Sequence, residues 1–489
     1  MLNVVDEVIR HADRAGGAIA LIADGEEISY ARLAEMIEAA ARELTAKGTL
    51  DCPSGVARVG LACPDGAAYV VLALAILRAG GCVVPIAAEL APPERDVLVR
   101  SVALDALVLA GERSWHRRLA GARSFAALGT TIDVARLSGD ARGGRPGFDE
   151  SALAALAPAF VRFSSGTTGA SKGVVLSHRS LLERVAAANR GLGIGPADRV
   201  VWVLPMAHHF AVSIVLYLVH GATIVLGRSH LAPDVLAAAR RYGATVVYGA
   251  PFHHALLAAE SSGLDWPALR LAVSTAQALP ESTARAFAAR FGIALSQALG
   301  IIEVGLPAIN LDAARDEPGS VGRPLPGFEV EIRRESGERA AAGEVGELLI
   351  RGPGMLDAYL APWRPRDAVL EDGWFRSGDL AFVNEAGLLF LAGRVSSVIN
   401  VGGMKCFPEE IEAVLREHDG VAAARVLARP HPQLGALPIA EIVPRDFAHP
   451  PSAEALARHC RAALARYKVP VEFRVVEALP MTSSGKVRR

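Results

Sequence analysis

Residues 57–80 read ARVGLACPDGAAYVVLALAILRAG. A short apolar stretch, ARVGLAC (57–63), turns through Pro64, Asp65 and Gly66 into an Ala/Leu-rich stretch of helical length, GAAYVVLALAILRAG (66–80). A strand followed by a helix, both apolar throughout, is the repeating unit of a parallel sheet covered by helices. The unit recurs as ATVVYGA (244–250) before FHHALLAA (252–259), and as LRLAVST (269–275) before ESTARAFAARF (281–291).

From Val330 the texture changes. VEIRR (330–334), GELLIRG (346–352) and WFRSGDLAFVNEAGLLFLAGR (374–394) are short alternating strands with glycine turns, the pattern of a small antiparallel unit. After Arg394 the sequence offers the segment VSSVINVGG (395–403), a helix opened by Pro408, two strands around 421–445, a helix over 452–467 and a last strand, EFRVVEAL (472–479). The fold class expected is α/β. A large N-terminal domain, 1–393, holds parallel sheets covered by helices plus a small antiparallel β unit, and a small C-terminal α+β domain follows over 394–489. Residues 138–159, SGDARGGRPGFDESALAALAPA, read as a loop or exposed connection.

Composition narrows the function. A chain of 489 residues suits several structural units and a multi-step enzyme. Half the residues are hydrophobic and the formal net charge is -1, so no global field recruits nucleic acid. The five cysteines, Cys52, Cys63, Cys82, Cys406 and Cys460, show neither CxxC nor Cys/His ligand spacing. That argues against a disulfide framework and a zinc site, and points to a reducing cytoplasm. Val4, Val5, Val8 and Ile9 mark one face of an N-terminal helix that carries Asp6 and Glu7, unlike an export signal. The most apolar stretches, 67–84 and 211–227, are broken by Arg78, His220 and glycines, short of the ~20 apolar residues of a spanning helix.

The chemistry concentrates in FVRFSSGTTGASKGVVLSHRS (160–180), where an extended run enters a loop of hydroxylated and glycine residues before Lys172. Gly166 and Gly169 let backbone N–H groups approach anionic oxygens, Ser164, Ser165, Thr167 and Thr168 add hydroxyl donors, and Lys172 adds charge. Phosphate binding follows from these residue types. The loop differs from the Walker pattern, since Ser171 rather than glycine precedes Lys172 and no Ser or Thr follows it.

With that loop, the sequence resembles the acyl-adenylate-forming superfamily, which includes acyl- and aryl-CoA synthetases, peptide-synthetase adenylation domains and beetle luciferase. Five further segments match in the family's order: LPMAHH (204–209), ALGIIEVG (298–305), WFRSGDL (374–380), LAGRVSSVINVGGMKCFPEEIE (391–412) and LPMTSSGKVRR (479–489). The resemblance implies that a carboxylate attacks the α-phosphorus of ATP, pyrophosphate leaves, and a thiol then displaces AMP. The 164–173 loop would hold the leaving phosphates, and Glu303, in the segment that contains Gly300, would hold Mg²⁺. Asp379 would accept hydrogen bonds from the ribose hydroxyls, Arg394 would contact ribose and phosphate, and Lys486 would bridge the carboxylate and the α-phosphate. The C-terminal domain would be mobile, with Ser397 at the hinge position, and Gly402 and Gly403 would line a pantetheine tunnel. His208 matches the histidine beside the acyl pocket, with His209 as its neighbour and alternative.

Two departures from the family pattern stand out. Leu299 and Ile302 occupy the places of a tyrosine over adenine and a threonine on phosphate, a loss on the order of 1 kcal/mol, roughly fivefold in affinity, per hydroxyl contact. Thr275 and Ala276 stand where the family usually has two glycines, and the resemblance implies that their side chains would narrow or reshape the acyl pocket. The run AHHFAVSIVLYLVH (207–220) carries no acid to pair a substrate ammonium, which disfavours an α-amino acid. The expectation is a CoA synthetase using ATP, Mg²⁺ and coenzyme A on a small-molecule carboxylic acid. The alternatives are a ligase that loads the phosphopantetheine arm of an acyl carrier protein, and a non-catalytic nucleotide- or acyl-binding descendant.

Overall fold

The computed structural model describes residues 2–46, 48, 50, 52, 55–87, 90, 92–111, 122–127, 129–137, 149–163, 172–227, 229–401, 404–432, 434–481 and 487. The chain folds into two compact units. Among the described residues, the first comprises those of 1–164, 171–329 and 351–375, and the second those of 330–350 and 376–489. The antiparallel strands after Val330 thus group with the C-terminal residues.

The first unit is built on two sheets, each nine-stranded among the described residues. In one, Ile19–Ala23, Thr223–Leu226, Arg199–Trp202, Val246–Gly249, Leu271–Ser274 and Leu295–Ile301 pair parallel in that order. Antiparallel strands close it, Glu26–Ser29 on one side and Gly305–Ile309 then Arg323–Pro324 on the other. In the other sheet, Pro158–Phe163, Cys82–Pro85, Arg58–Ala62 and Ala106–Ala110 run parallel. Thr130–Arg136 and Arg123–Ala127 extend one edge antiparallel, and Gly173–Ser177, Ala358–Tyr359 and Arg364–Pro365 extend the other. The expected parallel sheets are therefore present, with antiparallel margins that the strand–helix alternation did not signal.

The opening stretch folds as read: Arg58–Ala62 is buried at every position, and Ala67–Arg78 is a helix whose residues from Tyr69 to Leu77 are all buried. Arg58 is fully buried on this strand, where its Nε donates to Asp105 at 3.0 Å and its Nη2 to Glu150 at 3.0 Å. The segment read as a loop or connection is partly structured: Glu150–Ala155 is a helix and Pro158–Phe163 a strand. The missed signal is Asp149, whose carboxylate accepts from the N–H groups of Ser151 and Ala152 and caps the helix. Among the described residues no helix is long and apolar enough to cross a membrane.

The second unit holds a four-stranded sheet, Glu329–Arg333, Gly346–Arg351, Phe375–Val383 and Leu389–Arg394. It also holds a five-stranded sheet in which Met404–Cys406, Ile399–Val401, Gly435–Pro444 and Val421–His431 pair antiparallel, and Phe473–Val475 joins Gly435–Pro444 in parallel. Helices Pro408–Glu417 and Ala453–Ala463 cover it, and Ile411, Leu415, Leu456 and Cys460 enter one core with Val421, Val426 and Ile442.

Candidate active site

Helix His178–Leu192 supplies the frame in the first unit. The Ser177 hydroxyl caps it by accepting from Ser180 N at 3.1 Å, and Gly193, at φ 57°, ends it in the left-handed conformation that glycine tolerates. Its inner face carries Arg184, buried to 2 % exposure. Arg184 donates through Nε and Nη2 to the carbonyl of Gly354, at 3.0 and 2.7 Å, and through Nη1 to that of Ile302 at 3.0 Å. Leu356 N donates to the carbonyl of Glu303 at 2.7 Å. The backbone that presents Glu303, between strands Leu295–Ile301 and Gly305–Ile309, is thus held from both sides.

Tyr359 fixes the Glu303 side chain. Its hydroxyl donates to Oε1 at 2.9 Å, leaving Oε2 with no hydrogen bond among the described residues. Burial, followed by the charge and hydrogen bond of Glu303, pushes the Tyr359 phenol above its ordinary value, so it stays a donor. The strand bearing Tyr359 is anchored through Asp357, which accepts from Ser177 N at 2.6 Å, Ser180 Oγ at 3.0 Å and Arg366 Nη2 at 2.9 Å. Lys172 Nζ lies 4.9 Å from the centre of the Tyr359 ring, on its face. One tyrosine therefore gathers Lys172 and Glu303. Both were picked out by motif, whereas nothing in sequence marked Tyr359.

His208 lies within the short helix Met206–His209, and a π-type turn over Phe210–Ile214 follows. Arg162, on strand Pro158–Phe163, reaches it: Nη1 donates to the His208 carbonyl at 2.6 Å and Nη2 lies 3.3 Å from Nδ1. Strand alternation puts Arg162 on the same side as Phe160, which stacks against Phe210 with ring centres 6.4 Å apart. Burial, then the Arg162 charge, pulls the His208 imidazole down to about 4. Burial also pulls Arg162 down to about 10, against the opposing influence of Glu303 and Tyr69. Arg162 lies in the 160–180 stretch that carries the phosphate-loop residues, yet the sequence reading assigned it no role there. His209 instead meets Trp202, edge to face at 6.5 Å.

The substituted positions lie on neighbouring strand ends. Leu299 is buried on Leu295–Ile301, and Ile302 offers its carbonyl to Arg184. Thr275 is buried, and a β-carbon at Gly300 would lie 3.5 Å from its hydroxyl. Ala276 is exposed and has φ 73°, a left-handed backbone carried by a residue with a β-carbon.

In the second unit, Asp379 and Arg394 face each other across strands Phe375–Val383 and Leu389–Arg394. Arg394 Nε donates to Asp379 Oδ1 at 2.6 Å. The Ser377 hydroxyl accepts from Asp379 N at 3.0 Å and donates to the Leu348 carbonyl at 2.8 Å, which fixes the turn into the aspartate. Ser397 ends a single helical turn, Val395–Ser397, directly after Arg394. Ser164, Ser165, Gly166, Thr167, Thr168, Gly169, Gly402, Gly403 and Lys486 lie outside the described residues.

Among the described residues no group of three or more His, Cys, Asp or Glu side chains converges on a point. One carboxylate with a free oxygen nonetheless fits Mg²⁺, which takes one or two protein carboxylates and completes its shell with substrate phosphates and water. Glu303 Oε2 has that character.

A model described as AMP-binding enzyme matches residues 8–360, and one described as AMP-binding enzyme C-terminal domain matches residues 410–486. The chain is 36% identical over 338 residues to a sulfoacetate–CoA ligase of Cupriavidus necator, covering 68% of this chain and 66% of that relative, just under two thirds of its length. It is 29% identical over 492 residues to a feruloyl-CoA synthase of an Amycolatopsis species, covering 98% of this chain and 96% of the relative. The o-succinylbenzoate CoA synthetase of Bacillus subtilis, solved with an acyl-adenylate intermediate, superposes with a TM-score of 0.84 at 24% identity, covering 99% of this chain and 96% of that one. The two family matches in sequence order, carried on a fold shared along nearly the whole chain, make this protein a member of the AMP-binding enzyme family.

Proposed function

We propose that the chain activates a small-molecule carboxylic acid with ATP, forming an acyl-AMP and pyrophosphate, and then passes the acyl group to the thiol of coenzyme A, releasing AMP. The observation that carries this reading is the Lys172–Tyr359–Glu303 group: a cation and a carboxylate held about one tyrosine, directly after the 164–171 segment whose residue types suit phosphate. Glu303 would hold Mg²⁺, which supplies charge compensation to the departing phosphates. Lys172 draws the same phosphates electrostatically. Asp379, its orientation set by Ser377, accepts from the ribose hydroxyls, and Arg394 turns from Asp379 toward ribose and phosphate.

Lys486 stabilises the charge that develops when the carboxylate attacks the α-phosphate. Residues 394–489 then turn about Ser397, withdrawing Lys486 so that a thiol arm can pass Gly402 and Gly403. His208, with Arg162 behind it, faces the acid. The absence of an acidic residue from 207–220 supports an acid without an α-ammonium group. The cytoplasm is the compartment this reading implies, since ATP and coenzyme A are its substrates.

Pyrophosphate release is the test, measured with ATP and Mg²⁺ across aliphatic, aromatic, sulfonated and amino acids, with and without coenzyme A. Release that depends on one non-amino acid, with a thioester appearing on adding coenzyme A, is the expected result. Release with no thioester until an acyl carrier protein is added would move the acceptor to that protein, and silence across the panel would favour a binding role. Lys486→Ala should lower adenylate formation by at least a hundredfold while leaving thioester formation from supplied acyl-AMP; equal damage to both half-reactions would exclude a Lys486 that acts in the first alone.

A further inference from the structure

We infer that Arg162 is a positioning residue that locks His208 in the Nε2–H form, so that a buried N–H donor is presented to an oxygen acceptor of the acid. A guanidinium carries only donors. With Arg162 Nη2 at 3.3 Å from His208 Nδ1, Nδ1 must be the acceptor, and the proton of a neutral ring must sit on Nε2. The second contact, Nη1 to the His208 carbonyl at 2.6 Å, ties the same guanidinium to the backbone of the residue it orients, so ring and main chain are set together. His208 Nε2 is itself buried and has no hydrogen-bond partner among the described residues.

An unmatched buried donor is costly, and a ligand acceptor relieves that cost. A second such atom, the hydroxyl of Tyr69, is equally buried and unmatched, and its residue lies within electrostatic reach of Arg162. Arg162 is not walled into the core. It keeps partial solvent exposure, although burial pulls its guanidinium down to about 10.

The ionisable surroundings keep the ring neutral. Arg162 is the charged group acting on His208, and it opposes protonation in the same direction as burial. Glu303 and Tyr69 act on Arg162, and Asp65 and Cys63 act on Tyr69. Arg162 therefore does two things to His208: it selects the tautomer by hydrogen bonding, and it disfavours the imidazolium by like charge. An imidazole that gained a proton would have to surrender the bond to Arg162, because both partners would then be donors.

The tautomer follows from geometry alone, whereas its use on an acid rests on the acid-activating reading above. Long-range ¹H–¹⁵N correlation spectra of the full chain labelled in its 13 histidines, with the His208 signals identified by their loss in His208→Asn, read the ring directly. The wild-type ring is expected in the Nε2–H form, neutral to below pH 5. Arg162→Met should give a mixture of tautomers and raise the titration midpoint from about 4 toward 6.5. Its kcat/KM for the acid should fall roughly tenfold, and the acid limb of the pH profile should move with the midpoint. Arg162→Lys, which keeps one donor and the charge, should hold the tautomer and recover most of that loss.

A wild-type ring protonated on Nδ1 would overturn the inference without any variant, and so would an Arg162→Met ring with unchanged tautomer and midpoint. If the ring behaves as expected while no acid supports pyrophosphate release, the assigned activity fails and the tautomer lock stands. An acid that turns over without shifting the His208 Nε2 signal would overturn the donor role.

Discussion

Ala276 holds a backbone conformation that its own β-carbon opposes. At φ 73° it lies in the left-handed region, which costs a non-glycine residue about 1–2 kcal/mol. It directly follows Thr275, whose N–H donates to the Gly249 carbonyl at 2.9 Å, so the turn is pinned at the end of strand Leu271–Ser274 and cannot relax. Ala276→Gly should therefore stabilise the protein, by about 0.5–1 kcal/mol once the greater freedom of glycine in the unfolded chain is set against the relieved strain. Urea unfolding should show a higher midpoint with an unchanged slope; a lower midpoint would mean that the turn relaxes in solution. The position was legible as a departure from glycine, yet the sequence reading concerned pocket volume. Backbone strain became visible only with the torsion angle.

The turn that presents Glu303 depends on contacts between distant elements. Helix His178–Leu192, the 352–357 segment and strand Leu295–Ile301 meet at Arg184, whose guanidinium joins the carbonyls of Ile302 and Gly354. Gly354 permits the approach. Its φ is 67°, and a β-carbon there would come within 2.4 Å of the Arg184 backbone nitrogen. Gly354→Ala should cost about 1–3 kcal/mol through the torsion, with more from the clash. Because the displaced segment leads to Leu356 and Tyr359, which hold Glu303, the variant should also need more Mg²⁺ for half-maximal pyrophosphate release. Full stability with an unchanged Mg²⁺ requirement would show that the helix yields and the turn stands without it. The motif ALGIIEVG identified Glu303, but none of the residues that hold its turn, Arg184, Gly354, Leu356 and Tyr359, shares that motif. Their roles arise from pairing between strands and helices far apart in sequence.

Over the whole molecule, buried histidines set how stability responds to acid. His178 is buried and its Nδ1 accepts from Val4 N at 3.2 Å, while fully buried His254 bonds through Nε2 to the Val273 carbonyl at 3.0 Å. Burial is the largest influence on both and brings each from 6.5 to about 4. The unfolded chain therefore binds more protons between those values, so the stabilisation is complete above pH 6.5 and is lost as pH falls toward 4. The slope is about 1.4 kcal/mol per pH unit for each ring. The urea midpoint should fall measurably between pH 6.5 and 5, before most carboxylates titrate, and a flat midpoint across that window would exclude neutral buried rings. The sequence by itself determined the alternation of strand and helix, the change to antiparallel texture at Val330, and the motif residues Lys172, Glu303, Asp379 and Arg394, because periodicity and local residue chemistry are written in consecutive positions. Tertiary structure alone decided the antiparallel sheet margins, the pairing of Asp379 with Arg394, the hold of Tyr359 on Glu303 and the grip of Arg162 on His208. Those are contacts of side chains 15, 56 and 46 residues apart, and only the packing of sheets and helices sets such distances.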